Sequence, residues 1–288
     1  MIGIKNLSFS YGKNSLFSGM DLTLGSGLYG LLGKNGAGKS TLLKILSGLL
    51  YPDTGSCKVS VFDPGKREAE FLSNLFYLPE EFYLPALTGR CYIDLYSPFY
   101  PSFDKTKLEF LISEFELDIS KVLASLSYGQ KKKFLLAFGL ACGANIMLLD
   151  EPTNGLDIPS KSQFRRLVSS AVTKEKCIII STHQVRDMED LIDPVIIVDN
   201  GTIIFNHSME EVSEGLRYSF SPLQLSGDEI IHTEKVPGGW AVISKNDGEG
   251  KSEQISDDNN IDIEVLFNAV IQKHGIIENI LGRKDQTI

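Results

Sequence analysis

The stretch GKNGAGKST, Gly33 to Thr41, constrains the fold of this 288-residue chain more than any other. It fits the pattern G-x-x-x-x-G-K-[ST]. It stands between a compact apolar run, LYGLLG (28–33), and STLLKILSGLL, whose apolar residues recur with helical spacing. A buried strand, a glycine-rich turn and a helix in that order make a cradle for phosphate. The glycines let the backbone curl until successive N–H groups point inward, and the helix start adds its positive end. Lys39 is placed to reach the outer phosphates of a nucleotide, and the Ser40 hydroxyl to ligate Mg²⁺. Gly33, Asn35, Gly36, Ala37, Gly38 and Thr41 complete the predicted contacts. The bland alternative, a glycine-rich turn with a stray lysine, does not require the full motif in this context.

A second element supplies carboxylates. IMLLDEP (146–152) reads as a central strand ending in Asp150 and Glu151. Asp150 is predicted to hold Mg²⁺ through water and Glu151 to polarise an attacking water. The guanine-reading pattern N/T-K-x-D has only SKND (244–247) as a candidate, and its context is wrong, so ATP is expected rather than GTP. Further strand-like runs, CIIIST and VIIVD, follow, and a helix with Phe164, Leu167, Val168, Ala171 and Val172 on one face precedes the first of them. Strands alternating with helices predict an α/β fold with a mainly parallel sheet. Residues 1–27 read as antiparallel strands and about 83–142 as mostly helical. From about 206 the chain reads as β-hairpins, with DIEVLFNAVIQK as a closing helix. NDGEGKSEQISDDNN is a polar turn or flexible segment without assigned chemistry.

The net charge of −9 argues against general nucleic-acid binding. Lys131 to Lys133 form the one dense basic run, for which a solvated helix face is the ordinary explanation. Cys57, Cys91, Cys142 and Cys177 show no metal-ligand spacing and read as reduced, mostly buried thiols of a cytosolic protein. The N-terminus carries no signal-peptide pattern, and FLLAFGLACGANIMLL (134–149) is shorter than the ~20 residues a membrane span needs.

LSYGQ (126–130) opens the helix that follows it. Ser127 and Gln130 have the spacing of a capping box, yet Gly129 weakens a helix start and asks for another reason. The phosphate loop, LSYGQ, LLDEPTNGLD and STH, in that order, resemble the ATP-binding subunit of an ABC transporter over about residues 1–206, with a pattern nearest to antibiotic and multidrug exporters. The resemblance implies a P-loop NTPase core (1–206) with an N-terminal antiparallel β subdomain and an inserted helical subdomain (about 83–142), and residues 207–288 as a small α+β C-terminal accessory domain. It implies two such subunits paired head to tail, as a homodimer or with a similar chain. Each ATP would then lie between one phosphate loop and the other subunit's signature. Ser127, Gly129 and Gln130 become nucleotide contacts in trans, with Gly129 letting its N–H approach the γ-phosphate. His183 resembles the switch histidine that senses that phosphate, Asp157 matches a loop crossing the interface, and Tyr11 resembles the aromatic that stacks on adenine.

Two positions depart from the family pattern. Tyr128 replaces a glycine of the usual LSGGQ, and its ring is expected to point out of the interface or pack on the helical subdomain. Glu80, in FYLPEEF (76–82), stands where the family has a glutamine that touches Mg²⁺ and links to the membrane partner; some antibiotic exporters share this YLPE pattern. The implied function is an ATP-hydrolysing motor for a separate transmembrane permease, working in export, at the inner face of the cell membrane. The alternatives are a soluble factor acting on ribosomes or DNA-repair complexes, and a nucleotide-binding regulator without turnover. Against the first stand the single phosphate loop and a stretch from 85 to 126 too short for an inserted coiled coil. Against the second stand Glu151 and His183.

Overall fold

The computed structural model describes residues 1–188, 191–246, 256–257 and 261–282. The chain opens with a hairpin of β1 (Ile2–Tyr11) and β2 (Asn14–Leu24). An irregularity around Asn6, at φ 47°, shifts the buried set of β1 from Ile2 and Ile4 to Leu7 and Phe9. β3 (Gly27–Leu32) then leaves for a second sheet, α1 (Lys39–Leu46) follows it, and β4 (Thr54–Val59) returns to pair with β1. After α2 (Ala69–Ser73) and β5 (Leu75–Leu78) come the helices α3 (Gly89–Tyr96), α4 (Lys105–Glu114) and α5 (Tyr128–Ala141). Next are β6 (Ile146–Asp150), α6 (Ile158–Ala171), β7 (Cys177–Thr182), β8 (Val195–Asp199) and β9 (Thr202–His207). The remainder holds α7 (Met209–Gly215), β10 (Leu216–Ser221), β11 (Ile230–Val236), β12 (Gly239–Lys245), β13 (Ser256–Asp257) and α8 (Ile263–Leu281).

The central sheet runs β5-β6-β7-β3-β8-β9, parallel except for β9, which pairs antiparallel with β8. Its strands read as unbroken apolar runs because both faces are covered. Side-chain alternation divides each strand between two cores. Tyr29, Leu31, Ile146, Leu148, Cys177 and Ile179 pack toward the hairpin sheet and α1. Leu28, Leu32, Met147, Leu149, Ile178 and Ile180 pack toward α5 and α6. Helix α5 is buried on every side from Phe134 to Ala141, which accounts for its apolar run without a membrane. Among the described residues no helix is long and apolar enough to cross a membrane.

The C-terminal part forms an antiparallel sheet, β11-β12-β10-β13, with α8 against it. Its apolar residues, among them Leu216, Ile243, Leu266 and Val270, join the same cluster as Val185, Met188 and Ile192. Two expectations need correction. Val172 does not share the buried face of α6, because it is the C-terminal cap in extended geometry and stands 36% exposed. Lys132 is no part of a solvated face, being completely buried. Most of the polar stretch 246–260 and Asp247 of SKND lie outside the described residues.

Candidate nucleotide site

The parallel strands bring three distant segments to one edge. Leu32 at the end of β3 lies level with Thr182 of β7, and Asp150 of β6 lies level with Ser181. Open α/β sheets bind ligands beyond these carboxyl ends. The loop leaving β3 turns through Gly36 at φ 81° and Gly38 at φ 110°, both left-handed. A Cβ on Gly38 would come within 2.6 Å of the Phe17 ring, whereas one on Gly36 would meet nothing within 4 Å. Gly38 is thus fixed by the fold, and Gly36 faces open space.

Lys39 begins α1 and folds back over the loop, donating to the carbonyls of Gly33 at 2.7 Å and Lys34 at 3.2 Å. Burial lowers its pKa, opposed by the nearby carboxylates of Glu151, Asp150 and Glu80. Asp150 is buried and accepts a hydrogen bond from the Ser181 hydroxyl. Glu151 adopts φ 46°, uncommon for a residue with a side chain. Its carboxylate meets the His183 ring at 2.6 Å, the His183 N–H at 3.0 Å and the Thr182 hydroxyl at 3.3 Å.

Tyr11, Asn35, Gly36, Gly38, Lys39, Ser40, Thr41, Glu80, Glu151 and His183 line one cavity of about 480 Å³. Ten predicted residues from five separate stretches of sequence are thereby gathered around one space. Gly33 and Asn35 also border a neighbouring cavity of about 500 Å³ together with His183, while Ala37 and Asp150 are buried behind. Tyr11 stands half exposed at the rim, its hydroxyl 3.2 Å from that of Thr41 and its ring edge-on to Phe9. Mg²⁺ keeps several waters and takes one or two carboxylates beside phosphate oxygens. Ser40 and Glu80 on the cavity wall, with Asp150 behind, fit that modest donor set. Among the described residues no group of three or more His, Cys, Asp or Glu side chains could hold a metal alone.

Ser127, Gly129, Gln130 and Asp157 do not border this cavity. Ser127 caps α5 by accepting from the Gln130 N–H, and Gln130 in turn accepts from the Ser127 N–H, so the capping box is complete. Gly129 has an intramolecular reason: a Cβ there would lie 2.8 Å from the Gly155 carbonyl oxygen. Tyr128 packs on its own chain, its ring stacked on Phe82 at 5.3 Å and its hydroxyl donating to the Glu80 carbonyl at 2.7 Å. Asp157 caps α6 by accepting from the Ser160 N–H at 2.9 Å, and the bonds from Ser160 hold its carboxyl below the usual range.

Sequence reasoning missed three groups. Asn154 donates to the Glu80 carboxylate at 3.2 Å, Ser181 holds Asp150, and buried Lys132 donates to the carbonyls of Glu151 and Asn154. A signal for Lys132 existed in its spacing, four residues before buried Leu136 on the inner face of the helix.

Residues 17–154 match the sequence profile of a family described as ABC transporter. Over 214 residues the chain is 31% identical to the ABC transporter ATP-binding protein NatA of Bacillus subtilis (strain 168), covering 70% of this chain and 87% of that one. It is 29% identical over 223 residues to the lantibiotic transport ATP-binding protein SrtF of Streptococcus pyogenes, covering 77% and 96%. A solved structure described as the ATP binding subunit of an ABC transporter shares the fold, with a TM-score of 0.68 at 24% identity over 74% of this chain and 91% of that one.

Proposed function

This chain belongs to the ABC transporter family as one of its ATP-binding, ATP-hydrolysing proteins, and from that premise we propose that it energises export through a separate membrane-spanning chain. The carrying observation is the convergence of Lys39, Glu80, Glu151 and His183 on the cavity next to the open face of Gly36. ATP enters with its phosphates along residues 33–41, where Lys39 exchanges its own loop carbonyls for phosphate oxygens. Tyr11 at the rim covers the adenine. Ser40, Glu80 and Asp150 would hold a magnesium ion, which would supply charge neutralisation on the phosphates. Glu151 orients the attacking water, and His183, already in contact with Glu151, holds that carboxylate and meets the γ-phosphate. Ser127, Gly129, Gln130 and Asp157, which border no part of this cavity, serve the nucleotide of a second subunit placed head to tail.

Export is favoured by Glu80 in place of glutamine and by relatives such as the lantibiotic transport protein. Residues 207–288 are read as an accessory part beside the ATPase domain (1–206). The membrane chain has a seat of its own. A groove of about 510 Å³ behind Glu80 is lined by Phe76, Phe82, Tyr83, Tyr92, Tyr96 and Tyr100 among others. Tyr83 stands 85% exposed there, and Phe82 stacks on Tyr128, so an occupant of the groove touches the segment that carries Glu80. A segment of the permease is the occupant we infer, which holds this chain against the inner face of the membrane.

The test is capture of the tagged chain from detergent-solubilised membranes of its source. A stoichiometric multi-span chain that raises the ATPase rate and is lost on Tyr83→Asp, with the isolated subunit's own rate intact, supports the reading. Ribosomal or DNA-repair proteins in place of a membrane chain overturn the transport role and leave the ATPase standing.

A further inference from the structure

Lys132 lies in the middle of a three-lysine run, yet its side chain is wholly buried. A buried ammonium is costly unless its N–H groups are matched. Two acceptors are main-chain oxygens, those of Glu151 at 2.7 Å and Asn154 at 3.0 Å. Its other side is covered by the Tyr128 ring, whose centroid lies 5.2 Å from Nζ, within cation–π reach. Because both acceptors belong to the backbone, what the ammonium fixes is the path of the chain after β6.

That path is strained. Glu151 sits at φ 46°, a conformation that persists only where its surroundings over-determine it. Its N–H donates to the Ser181 carbonyl at 3.0 Å, its carboxylate meets His183 and Thr182, and its carbonyl is gripped by Lys132. Lys132 is also on the first turns of α5, on the same rigid rod as Ser127 and Gly129. The turn and the helix start touch again where Gly129 faces the Gly155 carbonyl and the Tyr128 ring covers Gly155. Asn154 and Tyr128 both reach Glu80, one at its carboxylate and one at its carbonyl, closing a ring of contacts.

We propose that Lys132 is a positioning residue that makes the turn bearing Glu151 and the helix start bearing Ser127 and Gly129 one rigid piece, so that the two nucleotide sites of a subunit pair are held in register. This rests on the paired-subunit reading above. In such a pair, Glu151 of a subunit serves that subunit's own ATP, and its Ser127 serves the ATP of the other. A shift of either group is therefore carried by Lys132 to the opposite site.

The experiment uses mixed dimers of the full chain, made with two tags and purified by both. In the first, Lys132→Met is on one subunit and Glu151→Gln on the other, so the remaining turnover uses the altered subunit's own Glu151. In the second, both substitutions are on the same subunit, so the remaining turnover depends on the altered subunit's Ser127. Each is compared with the same dimer carrying Glu151→Gln alone. Displacement of a catalytic group by a fraction of an ångström to one ångström costs about tenfold or more in rate, and a fall of that order in kcat is expected in both dimers. KM for ATP is expected to stay within about twofold, since the phosphate loop is untouched. A fall in only one dimer, or in neither, overturns the proposal. If Lys132→Met does not fold, Lys132→Gln, which keeps a donor on a shorter stem, is read in the same way. Gel filtration of the Glu151→Gln chain with MgATP separates the two levels. A chain that never pairs removes the paired-subunit reading and this proposal with it, whereas pairs with unaltered turnover remove this proposal alone.

Discussion

Lys39 and Lys132 look alike by every local measure. Both are buried, both donate to two main-chain carbonyls, at 2.7 and 3.2 Å for Lys39 and 2.7 and 3.0 Å for Lys132, and burial lowers the pKa of both. They differ in whose carbonyls they hold. Lys39 bonds residues five and six positions away in its own loop and borders the cavity. Lys132 bonds residues nineteen and twenty-two positions away and borders none of the cavities described above. The bonds of Lys39 are therefore exchangeable for a ligand's oxygens, and those of Lys132 belong to the permanent structure. A buried lysine is read by what can replace its partners.

The largest expected effect separates the two on that ground. Lys39→Ala removes the charge we propose neutralises the transferred phosphate and is expected to lower kcat by about 10²–10³. The melting temperature should fall less than for Lys132→Met, since the carbonyls left behind belong to Gly33 and Lys34, which line a cavity where water can replace the ammonium. Lys132→Met leaves the buried Glu151 carbonyl without its donor, at about 1–3 kcal/mol, and removes a second bond to the part-buried Asn154 carbonyl, so it should melt below Lys39→Ala. Activity and melting measured on the same preparations decide this. The distinction breaks if Lys39→Ala proves the less stable of the two.

A smaller effect comes from the glycines. A Cβ on Gly36 meets nothing in the protein within 4 Å, but the left-handed φ of 81° is strained for alanine by about 1 kcal/mol, and the methyl would stand where we propose that phosphate lies. Gly36→Ala is expected to raise KM for ATP more than it lowers stability. Gly129→Ala has the opposite profile: its Cβ meets the Gly155 carbonyl at 2.8 Å, and overpacking of that kind costs about 1–3 kcal/mol, only partly offset by alanine's better helix propensity. Thermal melts and ATP titrations of both variants should cross over. A Gly129→Ala chain as stable as the parent would show that Gly129 answers to a ligand alone.

The same contrast explains what could be read from sequence. The turn from Gly33 to Thr41 was legible because its strand, its left-handed glycines and its helix start are contiguous in the sequence. The parallel sheet was legible because strands covered on both faces become unbroken apolar runs such as IMLLD and CIIIST. Lys132 was not, because its acceptors lie beyond a whole strand, and three adjacent lysines look like a wet helix face until one is found pointing inward. Gly129 was half legible. Its oddity in a helix start was visible, but the carbonyl it makes room for, that of Gly155, belongs to a different segment. Val172 was placed on the buried face of α6 because periodicity does not mark where a helix stops.

Tyr128 offers the finest division between ligand-shaped and chain-shaped residues. It sits in a motif whose neighbours we assign to a nucleotide, and its ring and hydroxyl pack against Phe82, Gly155, Lys132 and the carbonyl of Glu80. Tyr128→Phe keeps the stack and the ring over Lys132, and deletes only the hydroxyl at 2.7 Å from Glu80. A single hydrogen bond of this kind is worth about 0.5–1.5 kcal/mol, and the residue is 44% exposed, which places the expected loss at the lower end. For a chain of this size that is a fall in melting temperature of about 2–4 °C or less. KM for ATP should stay within about twofold, because no interaction with nucleotide has been removed. A rise in KM of about tenfold with an unchanged melt would mean that the hydroxyl faces nucleotide in the working assembly, moving Tyr128 from the side of Lys132 to the side of Lys39.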